Sequence, residues 1–132
     1  MQSFVTFVFL ILSNNFLLAQ EPHDDDLKGK NLICFNNSLS VDDWGVKFLI
    51  NKKVILYSLD KSLYEIYQYP RTYRTNLRDI YISKDQKIEY IINRTRLTLG
   101  NKKCKVVKAD PITLLNERIL DLKLKRKKGN RI

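Results

Sequence analysis

The chain has 132 residues, of which 24 are Lys or Arg and 14 are Asp or Glu, so its formal net charge at pH 7 is +10. That length is enough for one domain with a single core and excludes two. The charge favours anionic partners such as lipid headgroups, acidic polysaccharide, nucleic acid or an acidic protein. A lysine-rich solvated surface produced by codon bias is an equally good explanation.

The N-terminal segment has the features of an export signal. An apolar run covers residues 4–12, and the first charged side chain is Glu21. The run is too short to span a bilayer, and Ala19 supplies the small residue that signal peptidase requires beside the cut. We therefore predict a signal peptide over residues 1–19 and a periplasmic or secreted protein with no transmembrane helix after cleavage. Retention of the segment as an N-terminal anchor is the alternative.

Residues 20–30 contain His23, three consecutive aspartates at 24–26, and no large apolar side chain before Leu27. The absence of periodicity predicts a flexible acidic linker. Imidazole and carboxylate groups are competent metal ligands, but a run of acids in a flexible segment is typical of a solvated spacer. We therefore predict no metal site and no cofactor.

Residues 31–109 consist of short alternating apolar runs separated by turn signals, which is typical of an antiparallel sheet. We predict an all-β or β-rich α+β domain, a small antiparallel meander or barrel of about seven to eight strands with a C-terminal helix. Pro70 predicts a break or an edge after an aromatic-rich stretch. The predicted strands cover residues 32–35, 44–50, 54–59, 79–83, 88–93, 94–99 and 103–107.

The two cysteines, Cys34 and Cys104, fall on the first and last predicted strands. An even pair without metal-ligand spacing in an exported protein predicts a disulfide, which would join the two ends of the sheet. Two free buried thiols are the alternative.

The C-terminal region has a helical pattern. Asp110 and Pro111 are typical of a helix start, and apolar residues recur at helical spacing from Ile112 to Leu122. We predict a helix over residues 110–125 and a basic tail over residues 126–132. The helix either docks on the open face of the sheet or lies on an anionic membrane surface with its lysines among the headgroups.

The titratable residues do not predict an enzyme. His23 lies in the predicted linker and has no fixed partner, so it cannot act as a positioned base. Bridged cysteines leave no thiolate nucleophile, and the carboxylates are scattered along the chain without a spacing that suggests a catalytic pair. We therefore predict a protein without catalytic residues.

One concentration of aromatic and basic residues predicts a binding site. Tyrosines beside arginines can stack on sugar or base rings while the cations hold anionic groups, although structural pairing of these rings within the sheet is the alternative. Export disfavours nucleic acid as the ligand. We predict a non-enzymatic binding protein for an anionic envelope ligand or protein, or alternatively an envelope-associated structural protein held at the membrane by its basic helix and tail. The candidate ligand-binding residues are Tyr67, Tyr69, Arg71, Tyr73 and Arg74, and the accessory electrostatic patch is Lys125, Arg126, Lys127 and Lys128.

The segments 32–34, 44–48 and 90–94, together with Leu97 and Cys104, resemble a family of small uncharacterised exported proteins of marine bacteria. The resemblance covers residues 31–107 and implies an exported domain without an assigned activity. The outline of a signal peptide, a β domain and a cysteine near each end is also similar to the periplasmic C-type lysozyme inhibitors. Their Ser-Gly loop and Trp-Lys-Gly segment have no counterpart in this chain.

Overall fold

The computed structural model describes residues 24–129. The predicted signal peptide over residues 1–19, His23 and the last three residues of the predicted tail lie outside the described residues. Within residues 24–129, no helix is long and apolar enough to cross a membrane.

One antiparallel sheet and one helix make up the regular structure of the described residues, which confirms the predicted β-rich fold with a C-terminal helix. The strands number nine. One strand, over residues 65–75, was not among the seven predicted segments, and the last predicted hairpin is divided into three short strands around Gly100 and Cys104. The elements are β1 Asn31–Cys34, β2 Asp43–Phe48, β3 Lys53–Asp60, β4 Glu65–Thr75, β5 Asp79–Lys84, β6 Lys87–Asn93, β7 Thr98–Leu99, β8 Lys102–Lys103, β9 Lys105–Val107 and α1 Pro111–Gly129.

The sheet curls into a near-barrel. Its strand order is β8-β7-β6-β5-β4-β3-β2-β1-β9, so β8 and β9 are the two edges. Only Cys104 separates these edge strands along the chain, and they must therefore lie close together. The predicted disulfide is present: Cys34 on β1 is bonded to Cys104, 70 residues further along. The bond ties β1 to the junction of the two edges.

The core lies inside the near-barrel and follows the alternation of the strands. Val54 and Leu56 face inward on β3, whereas Tyr57 and Leu59 face the helix on the outer side, as the alternation predicts. The buried inner cluster comprises Leu27, Leu32, Cys34, Val46, Phe48, Val54, Leu56, Tyr73, Ile80, Ile82, Ile92, Leu99 and Cys104.

The helix docks on the outer face of β1–β3, which is the first of the two predicted arrangements. Asp110 caps it by accepting a hydrogen bond from the Ile112 N–H at 3.1 Å, and its carboxylate also pairs with Lys47 at 2.6 Å. The hydrogen bond from Lys47 lowers the pKa of Asp110. Close approach depends on Gly45, since a Cβ there would stand 2.7 Å from the Cβ of Pro111.

The helix extends further than its predicted end at residue 125. It continues to Gly129, so Arg126, Lys127 and Lys128 form its last turn rather than a tail. Lys and Arg are good helix formers, and their positive charges interact favourably with the negative end of the helix dipole.

Strand β4 runs without interruption from Glu65 to Thr75, so Pro70 does not break it. The edge that Pro70 also predicted is present, because residues 65–71 pair with β3 alone and β5 joins β4 only from Thr72 onward. An edge segment accommodates proline because one side of the strand needs no N–H donor.

Residues 24–30 are packed against the near-barrel, in contrast to the flexible linker expected over residues 20–30. The Leu27 side chain is 5% exposed and belongs to the inner cluster. The Gly29 N–H donates to the carbonyl of Phe48 at 3.0 Å. The two nitrogens of the Arg94 guanidinium contact the two carboxylate oxygens of Asp25 at 3.1 and 2.5 Å. An acidic run can pack when such a partner offsets its charge.

Candidate functional site

The two ends of the near-barrel are closed in different ways. At the Phe48 end of β2, residues 24–27 cover the core, and Phe48 packs edge-on against Tyr73 with ring centroids 5.0 Å apart. We call this the sealed end. At the opposite end of β2 stands Trp44, whose register partner on β1 is Cys34 of the disulfide.

Two partly buried tyrosine rings contact the ring of Trp44, which is itself partly buried. Its ring is stacked with that of Tyr69 from β4 at a centroid distance of 6.2 Å and an interplanar angle of 26°. The ring of Tyr90 from β6 lies 5.6 Å away at an angle of 56°. The inward alternation of β2, β4 and β6 brings these side chains together across the interior. Trp44, Tyr69 and Tyr90, with Arg71, Glu89 and Lys102 beside them, are called the aromatic mouth.

Two cations stand over the rings of the aromatic mouth. The Lys102 ammonium lies 5.2 Å from the centroid of the Trp44 ring, and the Arg71 guanidinium lies 5.6 Å from that of Tyr69. Arg71 also forms an ion pair with Glu89 at 2.5 Å. Lys102 has no salt-bridge partner among the described residues. An anion that approaches the aromatic mouth would therefore meet Lys102, which has no carboxylate partner within residues 24–129, and Arg71, whose charge is partly offset by Glu89.

The indole nitrogen of Trp44 is unusual among the buried polar atoms. Within residues 24–129 it is the one buried side-chain nitrogen or oxygen that has no hydrogen-bond partner. An unsatisfied buried donor costs about 1–3 kcal/mol. Because Nε1 is buried, a ligand can accept a hydrogen bond from it only if the neighbouring side chains move.

The structure separates the five ligand-binding residues predicted from the sequence. Tyr69 and Arg71 are in the aromatic mouth, as described above. The Tyr67 hydroxyl donates to Glu65 at 2.7 Å, and this hydrogen bond raises the pKa of Tyr67 to about 12.

Tyr73 lies at the sealed end, where it is 4% exposed and its hydroxyl accepts a hydrogen bond from the Leu27 N–H at 2.9 Å. Burial raises the pKa of Tyr73. Arg74 is exposed, and its guanidinium lies 5.4 Å from the centroid of the Tyr81 ring. Of the five predicted residues, two therefore belong to the aromatic mouth, one to the core and two to other parts of the surface.

The predicted electrostatic patch belongs to the helix, which packs on the outer side of the sheet and not at the inner aromatic cluster. Lys125 pairs with Asp121 at 3.1 Å, and Arg126 donates to the Tyr64 hydroxyl at 3.3 Å. Lys127 and Lys128 are exposed. The patch and the aromatic mouth are therefore separate surfaces.

Sequence reasoning did not assign Trp44, Tyr90, Glu89 or Lys102 to a site. Alternation with Val46 and Phe48 is a signal that Trp44 faces inward, and alternation with Ile92 is the same signal for Tyr90. What the sequence does not contain is the strand order that brings β2 and β6 face to face across the interior.

The buried charges of the described residues form a structural cluster. Asp43, with no exposed side-chain surface, contacts Lys61 and Arg118 at 2.9 Å each, and it accepts a hydrogen bond from the Asn36 N–H at 2.7 Å. These contacts join β2, the loop after β1, the β3–β4 turn and the helix. In residues 24–129, no group of three or more His, Cys, Asp or Glu side chains is placed to hold a metal ion.

Comparison with protein-family models, with curated proteins and with solved structures finds no match to this chain. The resemblance to small exported proteins of marine bacteria therefore stays a prediction from the residues quoted for it.

Proposed function

We propose that this protein is a non-enzymatic, exported binding domain whose aromatic mouth binds an anionic saccharide of the cell envelope. The observation that carries the proposal is the Trp44 ring, which contacts two tyrosine rings and has the Lys102 ammonium 5.2 Å from its centroid. The disulfide and the net charge of +10 support an extracytoplasmic protein with an anionic partner.

The chemistry of the aromatic mouth suits an acidic sugar better than a bare anion. Tyr and Trp rings combine a large apolar face with a polar group, and a sugar ring offers apolar C–H groups on its face and hydroxyls at its edge. A carboxylate or sulfate on that sugar could displace Lys102 from the Trp44 ring and form a charge-assisted hydrogen bond. An acidic protein partner would also meet the cations, but it would not need the three rings.

The proposal is testable through the fluorescence of Trp44, because the chain contains a single tryptophan. The purified protein would be titrated with oligogalacturonate and, as the neutral control, with a maltooligosaccharide of equal length. We expect a saturable change in Trp44 fluorescence with the acidic sugar only. A chain that responds to neither, or to both equally, contradicts the proposal.

Matched variants locate the site. Lys102 and Lys103 are neighbours on β8, and successive strand residues point to opposite faces. We expect Lys102→Gln to weaken binding about tenfold through loss of a charge-assisted contact. The Lys103→Gln control carries the same charge change and should stay within about twofold. Equal losses in the two variants would indicate diffuse attraction to a basic surface instead of a site.

A further inference from the structure

A concave surface lies on the outer side of the sheet, where the β3–β4 turn meets the last turns of the helix. It is a cavity of about 550 Å³, which we call the helix–turn groove. Leu39, Tyr64 and Leu122 supply its apolar lining, and Lys125 and Arg126 supply cations. None of these residues belongs to the aromatic mouth, so an inference about this groove does not depend on the proposed function.

The charge of the helix–turn groove is concentrated around Tyr64. The Lys123 ammonium lies 5.4 Å and the Arg126 guanidinium 5.9 Å from the centroid of the Tyr64 ring. Tyr64 has φ +54°, a left-handed conformation that costs an L residue about 1–2 kcal/mol. The fold thus holds the Tyr64 ring beside two cations despite an unfavourable backbone conformation.

Lys61 also lines the groove, but its ammonium is occupied. It contacts Asp43 at 2.9 Å and donates to the carbonyls of Asn36 and Ser38 at 2.5 and 2.9 Å. Arg126 and Lys125 are exposed, and within the described residues Lys125 has only the exposed ion pair with Asp121 at 3.1 Å, so these two cations can meet a ligand. A single anionic head next to an apolar cavity is the ligand chemistry that complements this arrangement.

We propose that the helix–turn groove binds a single-chain anionic amphiphile, with its aliphatic chain on Leu39, Tyr64 and Leu122 and its head at Arg126 and Lys125. Charge complementarity supports an anionic head. The concave shape suits one chain better than a flat membrane surface. Of the helix leucines, Leu115 and Leu122 are largely buried against the sheet, whereas Leu120 and Leu124 are exposed and lie outside the groove lining.

The test is calorimetric titration of the purified protein with dodecyl phosphate below its micelle concentration. We expect saturable binding at one site. Dodecyltrimethylammonium has the same chain with a cationic head, and ethyl phosphate has the same head without the chain, and we expect neither to bind. Equal binding of either control overturns the proposal. The proposal is also overturned if the protein associates with anionic phospholipid vesicles but does not bind monomeric dodecyl phosphate, because the ligand would then be a membrane surface.

Two exposed positions allow variants that leave the core intact. Leu39 is 71% exposed, and Arg126 is exposed at the end of the helix. Leu39→Glu and Arg126→Glu should each weaken dodecyl phosphate binding by about tenfold or more. Lys128→Glu makes the same charge change on the same helix outside the groove lining and should stay within about twofold. A loss with Lys128→Glu equal to that with Arg126→Glu would overturn the proposal.

Discussion

Among the described residues, polar groups at the sealed end of the near-barrel have partners within the chain, whereas at the aromatic mouth one buried donor has none. The Asp25 carboxylate has Arg94, and the Tyr73 hydroxyl has the Leu27 N–H. In the mouth, the Trp44 Nε1 donor has no partner within the described residues. Local conflicts with the rules of stability are expected at functional sites, so this difference agrees with the proposal that the mouth is the end that meets a ligand.

Of the changes that separate the two ends, we expect loss of the disulfide to have the largest effect on the free energy of unfolding. The disulfide lies on the mouth side, because Cys34 is the register partner of Trp44. It closes a loop with a sequence separation of 70. By the chain-entropy estimate, replacing both cysteines with serine lowers the free energy of unfolding by about 4 kcal/mol. Urea denaturation followed by circular dichroism measures this difference.

The same denaturation of the wild-type protein under reducing conditions is the control, since it should reproduce the loss without any substitution. A double variant as stable as the oxidised wild type would mean that the strand ladder alone closes the sheet.

The strands and the disulfide were predictable because they depend on local patterns. Alternation places Val54 and Leu56 inside, and an even pair of cysteines without metal-ligand spacing in a chain predicted to be exported predicts the bond between Cys34 and Cys104. Other features depend on partners far along the chain. The acidic run at Asp25 looks like a linker until Arg94, 69 positions away, supplies its counter-charge.

The composition of the aromatic mouth depends on strand order for the same reason. Tyr69 was predicted as a candidate ligand-binding residue beside a cation. Its neighbour Trp44 comes from β2, two strands away in the sheet, and the two rings meet because both face the interior of the near-barrel. Tyr73 looks equivalent to Tyr69 in sequence, yet four residues along the strand are enough to move it from the mouth to the sealed end. Alternation predicts a face but not a position along the barrel axis.

A pair of matched substitutions compares the two ends directly. Tyr73→Phe removes the hydroxyl that accepts from the buried Leu27 N–H, so that donor loses its partner. We expect a loss of about 1–2 kcal/mol in the free energy of unfolding. Tyr69→Phe removes a hydroxyl at the mouth, where the ring contacts remain, and should change stability by less than about 0.5 kcal/mol. Urea denaturation measures both losses. A larger loss of stability with Tyr69→Phe than with Tyr73→Phe would contradict the view that the sealed end has the better-satisfied polar groups.

The smallest expected effect is a pH dependence confined to the sealed end. The hydrogen bond from Arg94 lowers the pKa of Asp25, so the ionised carboxylate is favoured in the folded state. A depressed folded pKa contributes stability that is complete above the unfolded value, about 4, and is lost as pH falls through the folded value. Because the Asp25 side chain is 38% exposed, solvent screening limits the contribution to about 1 kcal/mol.

We therefore expect Asp25→Asn to be less stable than the wild type by a constant amount between pH 6 and 8 and by a shrinking amount below about pH 4. Asp85→Asn is the matched control, since Asp85 lies in the exposed β5–β6 turn and forms no salt bridge among the described residues. Both can be followed by urea denaturation across this pH range. A gap for Asp25→Asn that stays constant down to pH 3 would show that packing of residues 24–27, and not the charge of Asp25, stabilises the sealed end.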